Sequence, residues 1–137
     1  MLNIDKLNWN LPEEQQRRQI ETLRLEDDGE IETLILPPGK KDCWQNCAIV
    51  LSGLDDATLT RFLPGVLQWF RDLNWPGVDT IEKRLKQMPE ETVKTAVSAA
   101  VARADREGDE EWAENLQTVL NTCVFSWLIS LMYSVSV

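Results

Sequence analysis

Asp56-Ala57-Thr58-Leu59-Thr60-Arg61-Phe62-Leu63-Pro64-Gly65-Val66-Leu67-Gln68-Trp69-Phe70-Arg71-Asp72-Leu73 carries the pattern on which the fold turns. Leu59, Phe62, Leu63, Val66, Leu67, Phe70 and Leu73 recur at threes and fours, which gathers them on one face of a helix and leaves polar side chains on the other. A strand would alternate instead. Asp55 or Asp56 can cap the start by accepting from a first-turn N–H. Pro64 lacks an N–H and crowds the preceding turn, so a kink or break is expected near Phe62.

Toward the C-terminus, Asn74-Trp75-Pro76 closes this helix and opens another with Val78, Ile81, Leu85 and Met88 at helical spacing. Pro89-Glu90-Glu91 starts the next, with a narrow face of Val93, Val97, Ala100, Val101 and Ala104. Gly108 breaks it, and Asp109 caps a last helix with Trp112, Leu116, Val119 and Leu120 that runs on into an uncharged tail. Toward the N-terminus, Asp42 is a plausible cap for a helix through Leu51 that carries Trp44, Cys47, Ala48 and Leu51 and ends at Gly53. Ile31 to Leu36 is a short apolar run, extended or a helical turn, closed by Pro37-Pro38-Gly39. Glu26 to Glu30 reads as a loop. Asn10 and Glu13 have capping-box spacing around Pro12, which predicts a first helix from Pro12 to Leu25 with a thin apolar stripe and a peripheral place.

With strand alternation nearly absent and connections short, the reading is all-α: six or seven short helices stacked as antiparallel pairs in one domain. Within it residues 1–36 form an acidic N-terminal part, 37–114 a core and 115–137 an uncharged apolar C-terminal helix. An echo between Leu7-Asn8-Trp9 and Leu73-Asn74-Trp75, each followed by proline, would suit stacked hairpins of a solenoid.

Apolar residues at 43% and charged residues at 27% are globular proportions, and 137 residues suffice to bury a core without metal or disulfide. The net charge of −9 repels phosphate backbones and anionic lipid, so nucleic acid is not an expected ligand and a basic protein surface is. Three cysteines, Cys43, Cys47 and Cys123, show no framework spacing, and the first residues lack a signal-peptide pattern, so a cytoplasmic location is expected. Asn115 to Val137 carries no charge, but Asn115, Gln117, Asn121, Ser126, Ser130 and Ser134 interrupt it and no Lys or Arg flanks it, so a membrane is not the expected partner.

Chemistry-bearing patterns are sparse. There is no histidine, which removes the commonest general base and metal ligand. Cys43 and Cys47, at i and i+4, read as small buried hydrophobes rather than a redox pair or zinc site. Asp55-Asp56 reads as cap and first-turn charge, and neither it nor the pair Asp72 and Asp79 sits in a catalytic constellation. Asp27-Asp28-Gly29-Glu30 lacks the ligand spacing of a calcium loop. Lys40-Lys41 and Lys83-Arg84-Lys86 read as solvated faces. The expectation is no catalytic residue, no cofactor and no metal. Two acidic groups remain as partner-binding candidates: Glu26, Asp27, Asp28, Glu30 and Glu32, and Asp105, Glu107, Asp109, Glu110 and Glu111. The first is the better candidate on sequence because it is read as a loop without structural demand, whereas the second surrounds a helix start. Of six tryptophans, Trp69 and Trp75 are expected in the core, while Trp9 and Trp44 lie in thinner apolar context and are candidate contacts.

Leu63-Pro64-Gly65-Val66-Leu67-Gln68-Trp69-Phe70-Arg71-Asp72-Leu73-Asn74-Trp75-Pro76 resembles the signature of a bacterial domain-of-unknown-function family with a Trp-x-x-Asp-x-Asn-Trp-Pro core, preceded here by Pro38-Gly39-Lys40-Lys41-Asp42. Arg71 stands where the family usually has Gln, and Gly77 where it has a bulkier residue. The likeness spans about residues 37–114 and does not reach the apolar tail. It implies a small helical, HEAT-like fold without established catalytic residues, and proteins of this kind are similar to immunity proteins of polymorphic toxin and contact-dependent growth inhibition systems. Physically, Trp69 and Phe70 should fill the core, Asp72 should hold a turn through local backbone bonds, and Asn74 should cap the helix after Pro76. The functional expectation is a non-enzymatic immunity protein, a monomer before complex formation, that binds a co-encoded toxin domain, a basic nuclease, and occludes its active site with an acidic surface. The alternative is a non-catalytic helical adaptor or assembly protein.

Overall fold

The computed structural model describes residues 2–135, and every regular element among them is helical. Seven α-helices follow one another: α1 (Glu13–Thr22), α2 (Asp28–Thr33), α3 (Trp44–Ser52), α4 (Asp56–Val66), α5 (Val78–Leu85), α6 (Glu90–Glu107) and α7 (Glu110–Val135). Short 3-10 helices at Ile4–Leu7, Lys41–Cys43 and Leu67–Arg71 join them. The last two α-helices, of 18 and 26 residues, are longer than the short helices expected.

Packing skips one helix at a time. α1 lies on α3, α3 on α5 and α5 on α7, while α4 lies on α6. α2 joins α4, since Arg61 on α4 bonds Asp28 on α2 at 2.7 Å and Ile35, just after α2, lies over Gly65. Odd-numbered helices therefore form one layer and even-numbered helices the other, the order of a short α-solenoid. α6 and α7 close the stack as a tightly packed antiparallel hairpin. Gly108 makes its turn at φ +71, and Asp109 caps α7 by accepting from Trp112 N–H at 3.0 Å. Between the layers lies one continuous core that includes Leu51, Leu63, Leu67, Trp69, Phe70, Ile81, Leu85, Val97, Ala104, Trp112 and Leu116.

Several boundaries differ from expectation, each for a local reason. Pro64 does not break α4 near Phe62; the helix continues to Val66. Thr60 and Pro64 are both exposed, so the hydrogen bond Pro64 cannot make lies on the solvent side, where water replaces it. The change comes at Leu67, where the chain tightens into a 3-10 helix and buries Leu67, Trp69 and Phe70. Its loose carbonyls are taken by α7: Leu67 O accepts from Trp112 Nε1 at 3.1 Å and Phe70 O from Asn115 Nδ2 at 2.9 Å.

Asn10 does not cap α1, whose first turn follows Pro12 without a side-chain cap. Gln16 holds that entry instead, donating to Trp9 O at 2.8 Å and Leu11 O at 2.6 Å. Asp42 does not cap α3 either; its carboxylate accepts from Asn8 Nδ2 at 2.7 Å and its carbonyl from Trp9 N–H at 3.0 Å. Asp55 does cap α4, accepting from Thr58 N–H at 2.7 Å, and that bonding holds its carboxyl below the ordinary range. The echo is not a repeat: Leu7 is buried and Trp9 exposed, while Leu73 is exposed and Trp75 half-buried.

Arg84 is no solvated face residue. Its guanidinium donates to Ser52 O at 3.0 Å and Leu54 O at 2.9 Å, satisfying carbonyls left over at the end of α3, and pairs with Asp56 at 2.7 Å.

Candidate functional site

The Trp-x-x-Asp-x-Asn-Trp-Pro segment builds a wall of the core. Trp69 is fully buried and donates its indole N–H to Pro76 O at 2.7 Å, across the turn it belongs to. Asp72 Oδ1 accepts from Asn74 N–H at 2.8 Å and Asp72 O from Trp75 N–H at 3.1 Å, which fixes the reversal. Asn74 does not cap α5. That position belongs to Gly77, which no side chain caps, and whose N–H donates to Gln45 Oε1 at 3.0 Å. The chain must turn left-handed there to bring α5 against α3, a geometry a capping Asn three residues earlier cannot provide. Trp75 is half-buried and meets Trp44 edge to face at 5.2 Å between ring centres, with Trp44 in turn 6.4 Å from Trp69.

Trp44 is thereby removed from the candidate contacts: its indole N–H donates to Pro37 O at 2.9 Å and its ring is packed on both sides of this cluster. Lys41 Nζ lies 5.7 Å and 5.9 Å from the centres of Trp44 and Trp75, a cation over aromatic faces. Trp9 keeps 46% of its surface exposed, and Gln16, which donates to its carbonyl, lines an open groove between α1 and α3 together with Glu13, Glu14, Arg17, Ile20 and Ile49.

The first acidic group is not a loop. Asp27 caps α2, accepting from Glu30 N–H at 2.9 Å. Glu30 Oε1 accepts from Glu26 N–H at 2.6 Å and Oε2 from Leu2 N–H at 2.8 Å, a variant of the capping box that also ties down the start of the chain. Asp28 pairs with Arg61, whose hydrogen bond holds its carboxyl below the usual range. The premise that these acids carry no structural duty is therefore corrected for Asp27, Asp28 and Glu30, while Glu26 and Glu32 expose side chains that make no ion pair among the described residues. The spacing Asp27 to Glu30 before an apolar residue was the available signal, masked by the shortness of α2. Asp27→Ala with Glu30→Ala is expected to lower stability by about 1–2 kcal/mol through the lost cap and two freed N–H groups. The same pair made as Asn and Gln, which still accept, should cost much less. Equal urea midpoints for both pairs would show that the cap does not matter.

The second acidic group divides differently. Arg71 reaches across from the 3-10 helix to Asp109 at 2.8 Å and Glu107 at 3.5 Å, while its guanidinium stacks 3.9 Å from the centre of the Trp112 ring. Arg103 also pairs with Glu107 at 3.3 Å. Arg71 thus joins the 3-10 helix to the hairpin turn. Asp105, Glu110, Glu111 and Glu114 remain exposed around the same turn, and none makes an ion pair among the described residues. Sequence reasoning left Glu114 out, although its i+4 spacing from Glu110 signals a shared face.

Among the described residues no group of three or more His, Cys, Asp or Glu could hold a metal ion. Cys43, Cys47 and Cys123 are free thiols buried in the core, where burial pushes them up to about 11, about 12 and about 11.

No curated protein and no solved structure matches the chain. Residues 35–133 match a family described as Domain of unknown function (DUF5071). The matched span leaves α1 and α2 outside and takes in nearly all of α7, well beyond residue 114, where the sequence likeness was expected to stop. With most of its length inside that span, from the Trp44 and Trp69 cluster to the hairpin that carries the exposed acids, the chain belongs to the DUF5071 family.

Proposed function

We propose that this protein is a non-catalytic inhibitor of the immunity type, which binds a basic protein domain and occludes its active site with the acidic turn between α6 and α7. The observation that carries the choice of surface is the contrast between the two acidic groups. Asp27, Asp28 and Glu30 are spent on capping and pairing within the fold, whereas Asp105, Glu110, Glu111 and Glu114 stand exposed without a cation. Like charges held together on a rigid hairpin create a local field that attracts a basic surface and speeds its association. A nuclease domain fits such an inhibitor, because its substrate channel is itself basic and an acidic surface can take the place of the phosphate backbone. The lack of histidine supports a binding role over a catalytic one.

The test is to co-express the chain with the product of the adjacent gene and measure association by stopped flow. Asp105→Lys with Glu114→Lys, which spares the first-turn acids Glu110 and Glu111 and their interaction with the helix dipole, should leave melting nearly unchanged. It should slow association by about tenfold or more at low salt and flatten the salt dependence. Unchanged rates would move the interface to the α1–α3 groove beside Trp9. A neighbour that is no toxin, yet is bound, would favour an adaptor.

A further inference from the structure

The outward face of α7 changes character along its length. Trp112, Leu116, Val119 and Cys123 form the stripe buried against the core. On the opposite face Glu110, Glu111, Glu114, Gln117, Thr118 and Asn121 come first, and Phe125 and Leu128 follow at the same helical positions. Phe125 is 65% exposed, Leu128 55%, Leu131 61% and Tyr133 75%, the densest exposed apolar group among the described residues. Trp127 faces inward, its indole N–H donating to Lys86 O at 3.1 Å, and most of the described side chains from Leu128 onward are exposed.

We propose that two copies of this chain pair through this apolar end of α7, with the two helices antiparallel and crossing near Leu128. This departs from the monomer expected on sequence. Three observations select a second copy as the occupant. The first is area. With about 150–250 Å² for a large side chain, these exposures amount to roughly 500 Å² per copy, the size of the largest apolar patch on a typical soluble monomer, which is often a functional one. A pair would bury about 1,000 Å², the threshold of a specific but reversible interface.

The second is charge. The chain carries −9, but its acids on α7 all precede Asn115, so the apolar ends can meet without bringing like charges together. A parallel pair would set Glu110, Glu111 and Glu114 beside their own copies. In the antiparallel pair the two Glu114 side chains lie about 40 Å apart, since fourteen residues on each side of the crossing rise about 1.5 Å each, far beyond the screening length. The third is the two-layer stack itself. α7 ends the odd layer, and the face turned outward from α5 is where the next helix of such an array would pack. A second α7 supplies that helix, while the acidic hairpins stay open at the two far ends of the pair.

A lipid bilayer is the competing occupant, because α7 is long and apolar enough to cross one by length and composition. The arrangement argues against it. Val119 and Cys123 of that same stretch are locked in the protein core, and no basic residue lies in the last turn to anchor on headgroups.

Light scattering after size exclusion, on the whole chain without any partner, should give a mass rising from 15.7 kDa toward twice that value as the concentration goes from low to several hundred micromolar. A mass that stays at one chain throughout overturns the proposal. Leu128→Glu should hold the single-chain mass at every concentration with unaltered melting; a variant that still doubles places the contact elsewhere. The geometry is read by cysteines introduced one at a time. Leu128→Cys should cross-link to itself on mild oxidation and Asn121→Cys should not, the three native thiols being buried; cross-linking of both would show a parallel pair. Flotation of the chain with phosphatidylcholine vesicles, lost in Leu128→Glu and unaccompanied by any mass doubling, would assign the surface to membrane instead. None of these readouts depends on toxin binding, so they fail or hold separately from the inhibitor reading.

Discussion

Trp112→Ala is expected to lower the free energy of unfolding by about 3–5 kcal/mol, a large part of the 5–15 kcal/mol typical of a domain. Three independent contacts end at this side chain. The ring is wholly buried at the meeting of α7 with α6 and the Leu67–Arg71 helix, so its removal leaves a cavity that rigid helices on both sides cannot close. Its N–H donates to Leu67 O at the start of the 3-10 helix, a bond that joins the two elements and would be lost. Its face carries the Arg71 guanidinium at 3.9 Å, which in turn holds Asp109 and Glu107 at the hairpin turn. Trp112→Phe separates these effects: it keeps much of the packing and should cost about 1–2 kcal/mol, chiefly the lost hydrogen bond to Leu67 O. Urea unfolding followed by far-ultraviolet circular dichroism measures both. Nearly equal losses for the two variants would mean that packing is unimportant at this position.

That result bears on which parts of the molecule can be read from its sequence. The 3.6-residue period placed α4, α5, α6 and α7 because each buries one continuous stripe, and Asp55 and Asp109 stood at their caps as the capping rule requires. Elements of fewer than two turns escaped. α2 holds one fully buried side chain, Ile31, too little for a period to register, so its capping acids resembled free loop charges. The 3-10 helix at Leu67–Arg71 continues the apolar spacing of α4, and only its tertiary bonds to Trp112 and Asn115 distinguish it. Such bonds join residues 45 apart in the chain and leave no local trace.

The same limit governs the candidate surfaces. Exposure of Trp9 and partial burial of Trp44 follow from what lies beside them in space: the Trp44 ring meets Trp69 and Trp75, whereas Trp9 is held through its backbone, its N–H donating to Asp42 O and its carbonyl accepting from Gln16 Nε2. Composition made the chain acidic, but which acids are free depends on where Arg61, Arg71, Arg84 and Arg103 reach. Those four arginines neutralise Asp28, Asp56, Glu107 and Asp109 and do not pair with Asp105, Glu110, Glu111 and Glu114.

Gly77→Ala should destabilise by a similar amount to Trp112→Ala, by the opposite route of too much matter rather than too little. Gly77 adopts φ +95, where any Cβ is strained, and is buried between α3 and the Trp69 ring. A Cβ built there would lie 2.8 Å from Ala48 Cβ, 2.9 Å from Trp69 Nε1 and 3.1 Å from Trp44 O. None of the three is the loose end of a flexible side chain. Relief requires α3 to move off α5 or the Trp69 indole to turn, and either breaks the bonds from Trp69 to Pro76 O and from Gly77 N–H to Gln45. Backbone strain of about 1–3 kcal/mol and overpacking of about 1–3 kcal/mol together predict a loss of about 2–6 kcal/mol. A side chain at this place would require a smaller neighbour at position 48 or a different turn. Ala48→Gly tests this directly. Alone it should cost about 1 kcal/mol, as glycine does inside a helix, but in the Gly77→Ala background it should cost less or restore stability, because it removes the 2.8 Å contact. Chemical denaturation of the four proteins gives the coupling. If the two changes simply add, the Ala48 contact is not what excludes a side chain at position 77, and the loss must come from the left-handed turn alone.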